Sequence, residues 1–137
     1  MPKATDKERL RDDEIELCAR TVAALGLDQS DEIKTSLAWT IRNRVEALRG
    51  RCGDKSVVKA CNAVLKESLA KSEPSNLHRE ISRSEWRRVK AANERVWQGK
   101  VSDSTHGAIS CHRHDRNPRW ARQRTPTALL GEYLFFR

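Results

Sequence analysis

A mainly helical α+β fold in one domain is predicted by three observations. Apolar residues recur at helical spacing in successive segments, most of them bounded by capping or glycine signals. After Gly99 that periodicity gives way to short apolar and aromatic runs of strand character. The chain has 137 residues, enough for one core and too few for two. About four helices and a short two-stranded β element near the C-terminus are expected on these grounds.

The first helix is expected over 5–25, with Ile15, Cys18, Val22 and Leu25 sharing one face. Its early part, Asp6 to Glu16, is mostly charged and reads as a solvated extension. The domain organisation is thus a charged segment at 1–14 and a folded domain at 15–137. Gly26 is expected in the left-handed position that ends a helix, and Asp28-Gln29-Ser30 supplies caps for the next one. The second helix, about 31–49, keeps Ile33, Leu37, Ile41, Val45 and Leu48 on one stripe. Gly50 and Gly53 bracket its end, and a third helix follows over about 56–69. Ser72-Glu73-Pro74-Ser75-Asn76 reads as a loop. Ser82-Arg83-Ser84-Glu85 has capping-box spacing and opens a fourth helix, with Trp86, Val89, Asn93, Val96 and Trp97 inward and Gly99 closing it. Ala108 to His112 and Glu132 to Phe136 read as strands, and Pro118 to Arg122 as one helical turn.

Composition limits the functional classes. Lys and Arg total 27 and Asp and Glu 19, so the net charge is 27 − 19 = +8. Residues 1–32 hold five bases and nine acids, which leaves 22 bases and ten acids (+12) for 33–137. Such a surface suits polyanions, whether nucleic acid, anionic wall polymer or an acidic protein face, and also serves simple solubility. No run approaches the length of a membrane span. Met1 to Glu8 lacks the apolar core of a secretory signal, so synthesis in the cytoplasm without a signal peptide is expected. Action outside the cell then needs separate release or delivery.

None of the four cysteines form a Cys-x-x-Cys pair. Cys18 and Cys61 fall in apolar helical patterns and read as small buried residues. A Cys52–Cys61 disulfide stays open on the sequence, with a cytosolic origin against it. The run Cys111-His112-Arg113-His114-Asp115 invites a zinc reading, but no second pair of ligands lies upstream. No metal and no cofactor are expected.

Three segments resemble, in order, the SleB-type cell-wall hydrolases, which cut the glycan strands of peptidoglycan. They are Cys18-Ala19-Arg20-Thr21-Val22 leading to Leu37-Ala38-Trp39 and Asn43-Arg44-Val45; then Cys61-Asn62-Ala63; then the C-terminal third. The last carries Gly99, Asp103-Ser104-Thr105-His106-Gly107-Ala108, Pro118-Arg119-Trp120-Ala121, Gly131 and Tyr133-Leu134-Phe135-Phe136-Arg137. The family has Gly, Asp-Pro-Thr-Gly-Gly-Ala, Pro-x-Trp and an aromatic terminal segment at matching intervals. The resemblance covers about 15–137 and implies a small lysozyme-like domain acting on peptidoglycan. Lytic enzymes of this kind rely on one carboxylic acid that protonates the leaving oxygen, so the group must be neutral beforehand in an apolar pocket.

The chain departs from the family at the reactive positions. An ungapped count from Arg20 places the family's catalytic Glu at Leu25 and its next Glu at Gln29. The family's His after the Gly-Ala pair falls at Ser110, with His112 matching a second His. Its Gln-Phe-Ser falls at Lys66-Glu67-Ser68. Should catalysis have moved to another carboxylate, Glu67 and Glu32 are the first candidates, with His112 as supporting donor. Gln29, Ser68, Ser110, His112, His114 and Trp120 are the candidate substrate contacts.

Three functions follow as expectations. The first is a degenerate cell-wall-hydrolase-like domain, bound to peptidoglycan glycan strands or built into an assembly such as a phage particle or tail. The second is an active lytic transglycosylase or muramidase with a relocated carboxylate, acting at the cell wall after release or from a virion. The third is a basic nucleic-acid or protein-binding module, since Arg113, Arg116, Arg119, Arg122 and Arg124 surround Trp120.

Overall fold

The structure is a computed structural model that describes residues 10–69 and 80–137. The Ser72–Asn76 loop and residues 5–9 of the expected first helix lie outside the described residues. Four α-helices precede a small sheet: α1 (Asp12–Gly26), α2 (Asp31–Cys52), α3 (Ser56–Ser68) and α4 (Arg83–Trp97). α2 and α3 are joined without a break by a 3-10 turn at Gly53–Lys55, so they make one helical stretch, and the described residues hold three such stretches. The sheet is antiparallel, in the order β1 (Ser110–Arg113), β3 (Tyr133–Phe136), β2 (Ala128–Leu130). It has three strands where two were expected.

The helix boundaries follow their caps. α1 starts at Asp12, inside the segment read as an extension. The Glu14 side chain accepts from the Arg11 backbone N–H, and Asp12, Asp13 and Glu14 sit at the positive end of the helix dipole. Leu10, just before it, packs against the core. Ser30 caps α2 by accepting from Ile33 N–H, and Ser82 with Glu85 forms the capping box expected for α4. α2 runs past Gly50 and stops only at Gly53, whose φ of 54° and bond to the Arg49 carbonyl end the helix. Gly26 plays another part than the one expected. It closes α1 without a left-handed backbone, and a Cβ there would lie 2.8 Å from Leu37 Cδ1. Its missing side chain lets α1 and α2 approach.

The apolar stripes meet in one core. Cys18, Val22, Leu37, Ile41, Val45, Val64, Val89 and Val96 are sealed between the helices. Cys111, Tyr133 and Phe135 complete it from the sheet. Each of the larger side chains contributes about 1.5–3 kcal/mol on burial. The register pairs Ser110 with Phe136, Cys111 with Phe135 and His112 with Leu134. Alternation therefore sends Cys111, Tyr133 and Phe135 toward the helices and Ser110, His112 and Phe136 to the opposite face. That face is covered by the 3-10 turn Arg119–Ala121, whose Trp120 ring meets His112 and Phe136 edge-on. Among the described residues no helix is long and apolar enough to cross a membrane.

Candidate functional site

Consecutive residues of α2 anchor the polar centre of the molecule. Val45 points into the core, so Asn43 and Arg44 emerge on its flank, half-buried, toward the loops before β1. Asn43 Nδ2 donates to Asp103 Oδ2 at 2.9 Å and to the Ala108 carbonyl at 3.0 Å. Asp103 Oδ1 accepts from the Thr105 backbone N–H and hydroxyl, and Oδ2 from Gly107 N–H. Burial works against the Asp103 charge, but the Thr105 hydroxyl, the Asn43 amide and the two backbone N–H groups outweigh it and hold the carboxyl below its ordinary value. This network folds the 103–108 loop. It also holds His106 at a left-handed φ of 57°, at a position where the resembling family has glycine.

Arg44 makes the second anchor. Its Nη1 and Nη2 each lie 3.0 Å from one oxygen of Glu67, a bidentate fork across α2 and α3. Nη1 also reaches the Ile109 carbonyl and Ser110 Oγ, and the Ser110 hydroxyl donates to Glu67 Oε1 at 2.8 Å. The Glu67 backbone carbonyl accepts from Trp120 Nε1 at 3.0 Å. Ser68, next along α3, is buried with its Oγ 3.6 Å from Cys111 Sγ. Burial pushes the Cys111 thiol up to about 12, and the charge of Glu67 adds to the rise.

The structure thus brings together Glu67, Ser68, Ser110, His112 and Trp120 of the candidates read from sequence. His112 is 4% exposed, stacked on Phe136 with ring centroids 5.3 Å apart, and its Nδ1 lies 2.7 Å from the Arg113 carbonyl. His114 stands apart at the exposed strand end, with Nδ1 3.1 Å from the Glu132 carbonyl. Cys111, His112 and His114 therefore diverge, and no group of three or more His, Cys, Asp or Glu among the described residues is arranged to hold a metal.

Leu25, Gln29 and Glu32 lie elsewhere. Leu25 belongs to the hydrophobic core, and its carbonyl accepts from the Tyr133 hydroxyl at 2.5 Å, on the sheet face opposite His112. Gln29 folds over Gly26, with Cγ 3.0 Å from where a Cβ would stand, and its carbonyl accepts from the buried Lys34 ammonium. Glu32 is exposed in the first turn of α2 and lines a shallow groove of about 360 Å³ with Asp31, Thr35, Arg95 and Ser104. Twelve residues separate Glu32 from Arg44, about 18 Å of helix and a third of a turn, so the carboxylates of Glu32 and Glu67 do not face each other.

Sequence reasoning did not assign the parts played by Asn43, Arg44 and Asp103. For Asn43 and Arg44 the signal was two polar residues immediately before a core valine, on a helix whose inner stripe was otherwise apolar. Compared with protein-family models, curated proteins and solved structures, the chain matches none.

Proposed function

We propose that the protein is a non-catalytic, cell-wall-hydrolase-like domain that associates with peptidoglycan or serves as a structural subunit at the wall, as in a phage particle or tail. One observation carries this reading. The position matching the family's acid is Leu25, an aliphatic side chain closed into the core, and Glu67 has both carboxylate oxygens turned to protein donors. A general acid must direct its proton at the leaving oxygen of the glycan. Glu67 directs its oxygens at Arg44 and Ser110, and Glu32 lies too far away to supply the opposite carboxylate of a two-acid mechanism.

Incubation of the full chain with purified sacculi tests the reading in two measurements. The protein co-sediments with sacculi, and the supernatant gains no muropeptides. Failure to sediment removes the wall association, and soluble glycan fragments remove the loss of catalysis.

A second reading has an observation of its own. The outward half of α4 exposes Arg83, Arg87, Arg88, Lys90 and Arg95, with Glu94 among them, over about 18 Å of helix, a basic surface suited to a polyanion such as a nucleic-acid backbone. Salt-dependent retention of duplex DNA on a filter supports it; no retention at low salt ends it.

A further inference from the structure

We propose that Cys18 and Cys61 are an oxidisable pair that closes to an intramolecular disulfide joining α1 to α3, with a small peroxide as oxidant. Their sulfurs lie 3.9 Å apart across the α1–α3 contact, and both residues are buried, at 0% and 2% exposure. A disulfide requires an S–S distance near 2.05 Å, so closure needs the sulfurs to approach by about 2 Å. The four cysteines are all free thiols in this structure, but only these two meet one another. Cys111 instead lies against Ser68, and Cys52 is half-buried at the end of α2. The pairing left open on the sequence was Cys52 with Cys61. The fold turns Cys61 inward to Cys18 because Cys61 shares its helix face with Val57 and Val64, at spacings of four and three residues.

A metal site does not account for the pair. Two thiolates leave a structural zinc two ligands short, and no third His, Cys, Asp or Glu joins them among the described residues. A purely apolar role does not require sulfur to face sulfur, yet the two Sγ atoms meet at 3.9 Å. Cys61, whose S–H points at Cys18 Sγ, is held below its ordinary pKa by its hydrogen bond with Cys18, against burial. Cys18 is pushed far up, by its bond to Cys61 and by burial.

Whichever sulfur reacts first, the same disulfide forms; Cys61 is taken here as the attacker. Its thiolate attacks one peroxide oxygen, the O–O bond breaks, and the departing hydroxide takes a proton to become water. That leaves a sulfenic acid on Cys61. The Cys18 sulfur then attacks Cys61 Sγ, the S–O bond breaks, and a second water leaves with the Cys18 proton. Two thiols and one peroxide give one disulfide and two waters; sulfur is oxidised and the peroxide oxygens are reduced. Hydrogen peroxide is little larger than water, so a brief local opening between α1 and α3 admits it. The bond closes a loop between residues 43 apart in sequence. A crosslink of that span raises the melting temperature by roughly 10 °C.

The test treats the folded full chain with hydrogen peroxide, removes the excess, denatures the protein and blocks remaining thiols with N-ethylmaleimide. A non-reducing peptide map then identifies the links. The expected result is a crosslinked peptide pair containing Cys18 and Cys61, with Cys52 and Cys111 alkylated, and a rise in melting temperature that dithiothreitol reverses. Full alkylation of both Cys18 and Cys61 overturns the proposal, as does a link that passes through Cys52. In Cys18→Ser the peroxide-induced rise disappears, whereas Cys52→Ala retains it. If Cys18→Ser does not fold, the wild-type map decides alone.

Discussion

Replacing Glu67 by Gln removes one charge from the Arg44 fork while keeping the side-chain shape. The amide oxygen still accepts one hydrogen bond, but its NH2 now faces a guanidinium N–H where an oxygen had been. Arg44 and Glu67 are 19% and 28% exposed, which places the pair between two limits. An exposed ion pair contributes about 0.2–1 kcal/mol, and removing one partner of a buried pair costs about 3–5 kcal/mol. A loss of about 2 kcal/mol is expected for Glu67→Gln. With a urea slope of roughly 1.5–2 kcal/mol/M for a chain of this size, the midpoint falls by about 1 M at unchanged slope. The compensated double variant Arg44→Met with Glu67→Leu recovers most of that loss, because neither charge is left without its partner. A midpoint within about 0.2 M of wild type refutes the reasoning. It would return Glu67 to the position of a side chain free for chemistry.

Asp103→Asn is expected to cost about 1–2 kcal/mol at neutral pH. The folded carboxyl lies below its ordinary value, so its stabilisation is present above the unfolded pKa near 3.8 and is lost as pH falls through the lower folded value. The stability gap between wild type and Asp103→Asn, measured in urea at pH 7 and again below pH 4, should therefore shrink on acidification; a gap independent of pH contradicts the assignment. His106→Gly relieves the left-handed backbone at φ 57° and is expected to stabilise the fold by about 0.5–1 kcal/mol, read as a raised melting temperature. A lowered melting temperature would mean that the imidazole makes contacts worth more than the strain.

The helices were the legible part of this fold. Ile33, Leu37, Ile41 and Val45 recur at one helical spacing, and Ser82 with Glu85 has a cap's spacing, so both are local signals that the tertiary structure had only to accept. β2 was not legible. Ala128, Leu129 and Leu130 are too short a run to alternate, and Leu129 stays 65% exposed, so only pairing with β3 makes them a strand. Gly26 misled for a related reason. A glycine after an apolar helical stripe has the form of a left-handed stop, and only the approach of Leu37 from α2 reveals it as a packing residue. The candidate site divided in the same way. The family resemblance grouped Glu67, Ser68, Ser110, His112 and Trp120, and long-range contacts bring them together. It also grouped Glu32 and Gln29 with them, because nearness to Leu25 along the chain does not carry around the sheet to the face that holds His112. Arg44 went unassigned because an arginine on a helix flank acquires its part only when α3 delivers a carboxylate.

The proposed function rests on Leu25 and Glu67 leaving a cell-wall-hydrolase-like domain without an acid. The most direct measurement is mass spectrometry of the soluble fraction after prolonged incubation of purified sacculi with excess wild-type protein. The account predicts no muropeptides above a protein-free control. Anhydro- or reducing-end muropeptides in the wild-type digest, absent with Glu67→Gln, would contradict it and make Glu67 the acid.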